Sequence, residues 1–314
     1  MLMALTLFAA SIGQAEPASV TAVRDSYPNV SADGRRLVFH SNRIGRQALW
    51  IANVDGSDAR ILFDDATAGT DPGTPVWSPD GRRIAFAMRP SGAADPESDV
   101  YLIDSDGTNL RRLTDAPGDD SHPRWTADGR RIFFNSARAT PDLTAPWSRQ
   151  WIDIYSIGAD GSDVRRHTEC RSICTYPMPS PDGRHVAHRR VVESLGQNWD
   201  LSPTTRNSEV FVTPLDGGEP VNVSQSPAYD GWPTWSPDGR WVVFASNRDR
   251  IAFTGQIYAV SPSGQGLRRL TAGPLSRAQP SFHPAGDRIF VYESFETDAY
   301  EFGHIASFPV QLQP

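Results

Sequence analysis

Short apolar runs interrupt an otherwise polar chain at near-regular intervals, at residues 37–39, 84–86, 132–134, 186–187, 242–244 and 289–291. They are rich in β-branched and aromatic side chains and too short for a helical period, so they predict strands. A polar turn sequence precedes each run. Trp77-Ser78-Pro79-Asp80-Gly81-Arg82 and Trp235-Ser236-Pro237-Asp238-Gly239-Arg240 are the full copies. Ser31-Ala32-Asp33-Gly34-Arg35, Thr126-Ala127-Asp128-Gly129-Arg130 and Ser180-Pro181-Asp182-Gly183-Arg184 keep most of it, and His283-Pro284-Ala285-Gly286-Asp287 is the most altered. Ser or Thr, then Pro, with Gly at the fourth position, suits a type I turn closed by a left-handed glycine, hence an antiparallel hairpin. The turn glycines are spaced 47, 48, 54, 56 and 47 residues apart, a period that marks a repeat architecture.

Each period divides into four predicted strands, A to D. In the second repeat these are 75–78, 83–87, 99–103 and 110–114, with Asp106-Gly107 closing the C–D hairpin. Asp55-Gly56, Asp160-Gly161 and Asp216-Gly217 close the same hairpin in the first, third and fourth repeats. Four strands per unit is the composition of a propeller blade. The sixth repeat supplies only 280–283, 289–292 and 305–310. Residues 18–24, extended and ahead of the first strand A, are expected to complete that last blade and close the ring, which removes exposed sheet edges. The expected fold is all-β, a six-bladed propeller of four-stranded antiparallel blades spanning residues 16–314 as one domain.

The recurring order of aromatic-Ser-Pro-Asp-Gly-Arg, apolar strand, Asp-Ile/Val-Tyr, Asp-Gly and Arg-Arg-Leu-Thr resembles the WD40-like repeats of the TolB-like propeller family. The resemblance covers nearly the whole chain after its first residues and implies a six-bladed propeller. TolB itself carries an additional N-terminal α/β domain, for which the residues before Tyr27 leave no room. Similar propellers also precede the hydrolase domain of prolyl-oligopeptidase-like enzymes.

The 314 residues carry a net charge of −7, which gives no support to nucleic-acid binding. Residues 1–15 contain no charged side chain, and their apolar run ends in Gly13-Gln14-Ala15, the pattern of a cleaved signal peptide. That predicts a periplasmic or secreted protein with no integral membrane segment after cleavage, and a monomer. Cys170 and Cys174 are the only cysteines. Export favours a local disulfide between them, with free thiols or a two-thiolate metal contribution as alternatives.

Loop lengths distinguish the two faces of the ring. The A–B and C–D turns are short, whereas the B–C connections are long and variable, so binding is expected on the B–C/D–A face. Trp147, Trp151 and Trp199 fall in its longest loops and Tyr229 and Trp232 in a D–A loop. They read either as an aromatic platform or as packing that holds the loops to the ring. Arg43, Arg138 and Arg248 recur just after strand B, either to bind an anion or to pair with neighbouring acids such as Asp99, Asp153 and Glu209. His122, beside Asp119 and Asp120, and His304, near Glu296, Asp298 and Glu301, are the candidates for acid–base work. No nucleophile elbow, phosphate-binding glycine loop or zinc-protease motif occurs, and no metal or other cofactor is expected. The reading is an exported scaffold that binds a protein or peptide in the cell envelope. The alternative is a hydrolase, lyase or carbohydrate-binding propeller using the central funnel, which requires His122, His304 and acidic residues to converge.

Overall fold

The computed structural model describes residues 23–65, 70–89, 97–146, 149–194, 206–249, 255–294 and 303–312. Blade 1 comprises β1 (Asp25–Val30), β2 (Arg36–Ser41), β3 (Ala48–Asn53) and β4 (Arg60–Phe63). Blade 2 comprises β5 (Gly73–Trp77), β6 (Arg83–Met88), β7 (Asp99–Asp104) and β8 (Arg111–Arg112). Blade 3 follows as β9 (Asp120–Trp125), β10 (Arg131–Ser136), β11 (Asp153–Gly158) and β12 (Arg165–Arg166). Blade 4 is β13 (Cys174–Pro179), β14 (His185–Ser194), β15 (Arg206–Pro214) and β16 (Val221–Asn222). Blade 5 is β17 (Asp230–Trp235), β18 (Val242–Ser246), β19 (Gln256–Val260) and β20 (Arg268–Arg269). Blade 6 holds β21 (Ser276–Phe282), β22 (Arg288–Ser294) and β23 (His304–Pro309). Every sheet is antiparallel and runs in chain order. The first strands touch one another in the cycle β1, β5, β9, β13, β17, β21 and back to β1, so they form the inner wall of a closed six-bladed propeller.

Why these sequences make blades follows from burial. Each sheet is covered on both faces by its neighbours, so its middle strands read as continuous apolar runs rather than alternating ones. Val38, Leu49 and Ile51 of blade 1 pack on Trp77, Ile84, Phe86 and Ile103 of blade 2. Equivalent clusters fill the seams between blades 2 and 3, 3 and 4, 4 and 5, and 5 and 6. The last seam joins Phe290 of blade 6 to Val30, Leu37 and Phe39 of blade 1. Arginine crosses two of these seams above the apolar layer: Arg36 lies over the Trp77 ring at 4.6 Å and Arg83 over Trp125 at 5.2 Å.

The A–B turns behave as their sequence requires. Ser31 Oγ donates to Asp33 Oδ1 at 2.6 Å and accepts from the Arg36 N–H at 2.9 Å. Ser78, Thr126, Ser180 and Ser236 repeat this pair of bonds. All six turn glycines have φ between +67° and +76°, the left-handed region where a Cβ is costly. In the altered sixth copy His283 replaces serine, and its Nε2 lies 3.2 Å from the Gly34 carbonyl of blade 1. The degraded turn thus doubles as a clasp at the closing seam.

Two expectations are amended. The outer strands shrink to two residues in blades 2, 3, 4 and 5, and three of these four are exposed Arg-Arg pairs, which deter pairing at an open edge. Blade 6 shows three strands among the described residues, and most of the 18–24 segment expected to complete it lies outside them. Closure is nevertheless visible. Arg24 bridges Gly303 in parallel, as Ile173 bridges Ile152 and Tyr229 bridges Ser208 at other seams, and the Asp25 N–H donates to the Gly303 carbonyl at 3.0 Å.

A Cβ on Gly303 would lie 2.4 Å from the ring of fully buried Tyr292. Gly303→Val is therefore expected to destabilise the protein by about 2 kcal/mol through overpacking at the closing seam. Gly56→Asn, in an open C–D turn, should cost less than about 1 kcal/mol. Urea unfolding followed by circular dichroism compares the two.

Candidate functional site

Each inner strand contains an X-Pro pair: Tyr27-Pro28, Thr74-Pro75, His122-Pro123, Tyr176-Pro177, Trp232-Pro233 and Gln279-Pro280. In all six the X residue has positive φ, between +50° and +57°. That is rare for any non-glycine residue, and the residue before proline ordinarily prefers an extended conformation. Each A–B pairing also skips register across this pair. The six pairs are β-bulges, which redirect a side chain at the cost of local strain.

Contacts between non-neighbouring blades show where those side chains go. Tyr27 of blade 1 lies 5.9 Å from the His122 ring of blade 3. His122 meets Tyr176 edge-on at 4.5 Å, and Tyr176 meets Trp232 at 5.4 Å. The Tyr27 N–H donates to Gln279 Oε1 at 2.8 Å. The bulges therefore drive a crown of aromatic and polar side chains onto the propeller axis, where it plugs the channel. Behind it stands a second layer from the B strands. His40 Nε2 bonds Ser26 Oγ. Asn135 Nδ2 donates to Ser121 Oγ at 2.8 Å. The Arg189 guanidinium lies over the rings of Tyr229 and Tyr176 at 5.0 and 5.7 Å.

Above the crown, toward the A–B turns, lies an axial cavity of about 260 Å³ walled by the inner strands of all six blades. Trp77, Trp125, Trp235 and Phe282 contribute aromatic surface, and Arg124 contributes a guanidinium. Among the described residues, its wall contains no Asp or Glu. Burial lowers Arg124 to about 10, which leaves it cationic at neutral pH. His122 is pushed down to about 3, by burial first and then by Arg124 and Arg189. His40 falls to about 3 by burial and by Arg24. Both imidazoles are neutral, so the guanidinium groups carry the charge on the axis.

The expected site residues divide sharply. His122 and Trp232, expected in loops of the B–C/D–A face, lie within β9 and β17 and belong to the crown, because the inner strands begin earlier than the apolar pattern indicates. Tyr229 packs on Trp232 at 5.2 Å and holds Arg189 from behind. Trp151 sits in a loop pinned by Thr140, whose Oγ1 donates to the Trp151 carbonyl and accepts from its N–H, both at 2.9 Å. Trp147 and Trp199 lie outside the described residues.

Arg43, Arg138 and Arg248 do not pair with the strand C acids. Their partners are Asp25, Asp120 and Asp230, which open strand A eighteen residues earlier. Each arginine also lies over two rings of its own blade: Phe39 and Trp50, Phe134 and Tyr155, and Phe244 and Tyr258. Asp99 and Asp153 instead bind Arg112 and Arg166 from strand D, and Glu209 accepts from Ser224 and Ser226. These arginines brace the blades.

His304 is exposed, 3.6 Å from Glu293, on the outermost described strand of blade 6. It does not converge with His122 on the axis, so the arrangement required for funnel catalysis by these two histidines is not formed. The acidic neighbours expected for His304, Glu296, Asp298 and Glu301, lie outside the described residues. Cys170 and Cys174 are joined by a disulfide across Cα atoms 6.3 Å apart and pack against Phe133 and Val186 between blades 3 and 4. What the sequence reading missed is the crown and Arg124. The available signal was the X-Pro pair, repeated six times at one position.

A sequence profile described as the TolB β-propeller domain matches residues 28–190. An uncharacterized protein of Agrobacterium fabrum is 28% identical over 214 residues, covering 67% of this chain and 66% of that protein. The uncharacterized peptidase YuxL of Bacillus subtilis is 26% identical over 232 residues, covering 70% of this chain and 29% of that protein. Among solved structures, TolB from Acinetobacter baumannii superposes with a TM-score of 0.63 at 21% identity, covering 82% of this chain and 57% of that one. The chain thus spans between 29% and 66% of the length of these proteins.

Two predictions test the assignments. Asp230 has no exposed side-chain surface, so Arg248→Ala strands a buried carboxylate and should destabilise by about 3 kcal/mol. Asp230→Asn in the same chain should recover part of the loss, both read from urea midpoints. The second concerns acid. His40 and His122, at about 3, and His167 and His188, at about 4, remain neutral when folded but protonate near 6.5 when unfolded. Their stabilisation is present above pH 6.5 and is lost as pH falls toward 4. Asp120 and Asp230, raised to about 6 by burial, act in the opposite sense. At pH 5 the unfolded chain still holds about two protons more than the folded one. The melting temperature should fall between pH 6.5 and 4, and His122→Phe should reduce that slope by about one proton.

Proposed function

The chain belongs to the TolB β-propeller family, and on that premise we propose that it is an exported binding protein of the cell envelope that receives a segment of another protein in its axial cavity. The observation that carries this reading is the cavity itself. It is walled by all six blades, closed at depth by the crown and open at the A–B turn end. Tryptophan and arginine on rigid strands are the side chains that dominate binding energy at protein interfaces, and here they converge on one concave site. The rim is preorganised, because five of its six turns are locked by Ser or Thr bonds to the following Asp and backbone, so a partner segment meets a surface that loses little freedom on binding. Residues 1–15, with their signal-like composition, support export, and the family likeness supports the envelope as the destination.

The two ends of the propeller can be tested against each other. A photo-crosslinking amino acid is placed at Ala127 on the cavity rim, at Trp151 on the loop-rich end, and at Asp216 in an exposed C–D turn as control. Irradiation of intact cells is expected to give discrete protein adducts from position 127 and none from 216. Adducts from 151 alone would move the working surface to the loop-rich end, and an absence of protein adducts at all three would overturn the reading.

A further inference from the structure

Among the described residues, the axis of this propeller carries cationic side chains that no carboxylate answers. Arg124 projects into the cavity wall, and its guanidinium makes one described hydrogen bond, from Nη1 to the Pro123 carbonyl at 3.0 Å. Arg189, 1% exposed, stands behind the crown with its Nε unpaired and its charge set against the Tyr176 and Tyr229 rings. Arg24 approaches from the far side, its buried Nε likewise unpaired and its guanidinium over the Tyr292 ring at 5.7 Å.

Elsewhere the same protein spends its acids freely. It has 37 Asp and Glu against 30 Lys and Arg, and Arg43, Arg138, Arg248, Arg112, Arg166 and Arg277 each face a carboxylate within 2.9 Å. The acid-free axis is therefore a local departure from the composition of the chain. An enclosed cation without a counter-ion costs folding free energy, and the low-dielectric surroundings that raise this cost also strengthen the attraction for an incoming anion.

We propose that the axial cavity recognises an anionic group, a carboxylate carried by the partner segment, with Arg124 as the residue that binds it. This rests on the protein-binding reading above and specifies its chemistry. Arg124 offers the planar fork that matches a carboxylate oxygen pair. Trp77, Trp125 and Trp235, mostly buried in the blade seams, reach the cavity wall only at their edges and set a narrow apolar border beside it. Arg189 and Arg24 add a favourable field from below without touching the ligand. The neutral state of His122 and His40, imposed by burial and by these guanidinium groups, is consistent with a positive potential already present before ligand arrives. A carboxylate can come from an Asp or Glu side chain or from a chain terminus, and the cavity, closed at its base, suits either.

The test uses the purified chain and two random peptide libraries displayed on phage, one with internal peptides only and one with free C-termini. Selection on the wild-type protein is expected to enrich Asp and Glu in the first pool, or a common C-terminal motif in the second, and the pool that converges identifies the source of the carboxylate. A synthetic peptide from the winning pool should lose at least about tenfold in affinity when its acid is changed to the amide. Arg124→Gln should cause a similar loss, Arg124→Lys a smaller one, and amide peptide with Arg124→Gln no further loss. Circular dichroism and melting of the variants establish that they fold.

Convergence on neither an acidic side chain in the first pool nor a free C-terminus in the second, or binding of the selected peptide that survives Arg124→Gln undiminished, would overturn the proposal. A polyuronate that binds in an Arg124-dependent manner and displaces every selected peptide would overturn it in favour of a saccharide. If protein adducts at Ala127 persist while acid dependence fails, the protein-binding reading stands and the anionic chemistry alone falls.

Discussion

A sheet that is apolar on both faces cannot exist by itself in water, and every blade of this protein is such a sheet. Phe86 and Ile84 face blade 1 while Ala85 and Leu102 of the same blade face blade 3. The only arrangement that buries all of them, with no terminal sheet left wet, is a closed ring. Closure therefore matters more than any single seam, and the last seam is where the chain departs from its own rule. The sixth turn exchanges serine for His283, which reaches the Gly34 carbonyl, and Gly303 lets Tyr292 and the Arg24–Asp25 backbone meet.

Ring closure also dictates what happens on the axis. Six inner strands converging on one line leave a channel too narrow to stay open and too wide for backbone alone to fill. The X-Pro bulge resolves this by turning one side chain per blade inward at the expense of a strained φ. Proline fixes the backbone after the bulge and removes an N–H that the interrupted ladder could not satisfy. Because the backbone defines the crown, the residue at X is free to differ from blade to blade: Tyr, Thr, His, Tyr, Trp and Gln. Six different environments are thus presented by one geometric device, which is how a symmetric scaffold acquires an asymmetric site.

That distinction explains what was legible in the sequence. The fold was readable because the period, the Ser-Pro-Asp-Gly turns and the Asp-Gly hairpins are local signals whose chemistry survives repetition. The bracing role of Arg43, Arg138 and Arg248 was half readable: the recurrence was plain, but the partner lay eighteen residues upstream at the mouth of strand A rather than at the start of strand C. The crown was not read. A bulky residue before proline ordinarily signals an extended or turn segment, so His122 and Trp232 were placed outside the strands that in fact carry them. Their variability hid the position further, since a repeat is recognised by what stays constant and this site is written in what changes.

The arginines show the same separation of scaffold from site in electrostatic terms. An arginine whose aspartate stands eighteen residues before it is held by a short charge-assisted bond and by two rings of its own blade, and it answers a structural need completely. Arg124 and Arg189 have no such aspartate. In blade 3 the upstream partner position serves Arg138, and in blade 4 the residue of β13 across from Arg189 is Thr175. Charge left unanswered in an acidic protein, on the one line where all six blades meet, contrasts with the arginine after strand B in blades 1, 3 and 5, to which the repeat supplies an aspartate. It is local to the axis, and a ligand that brings the missing carboxylate would complete there what the aspartates complete elsewhere.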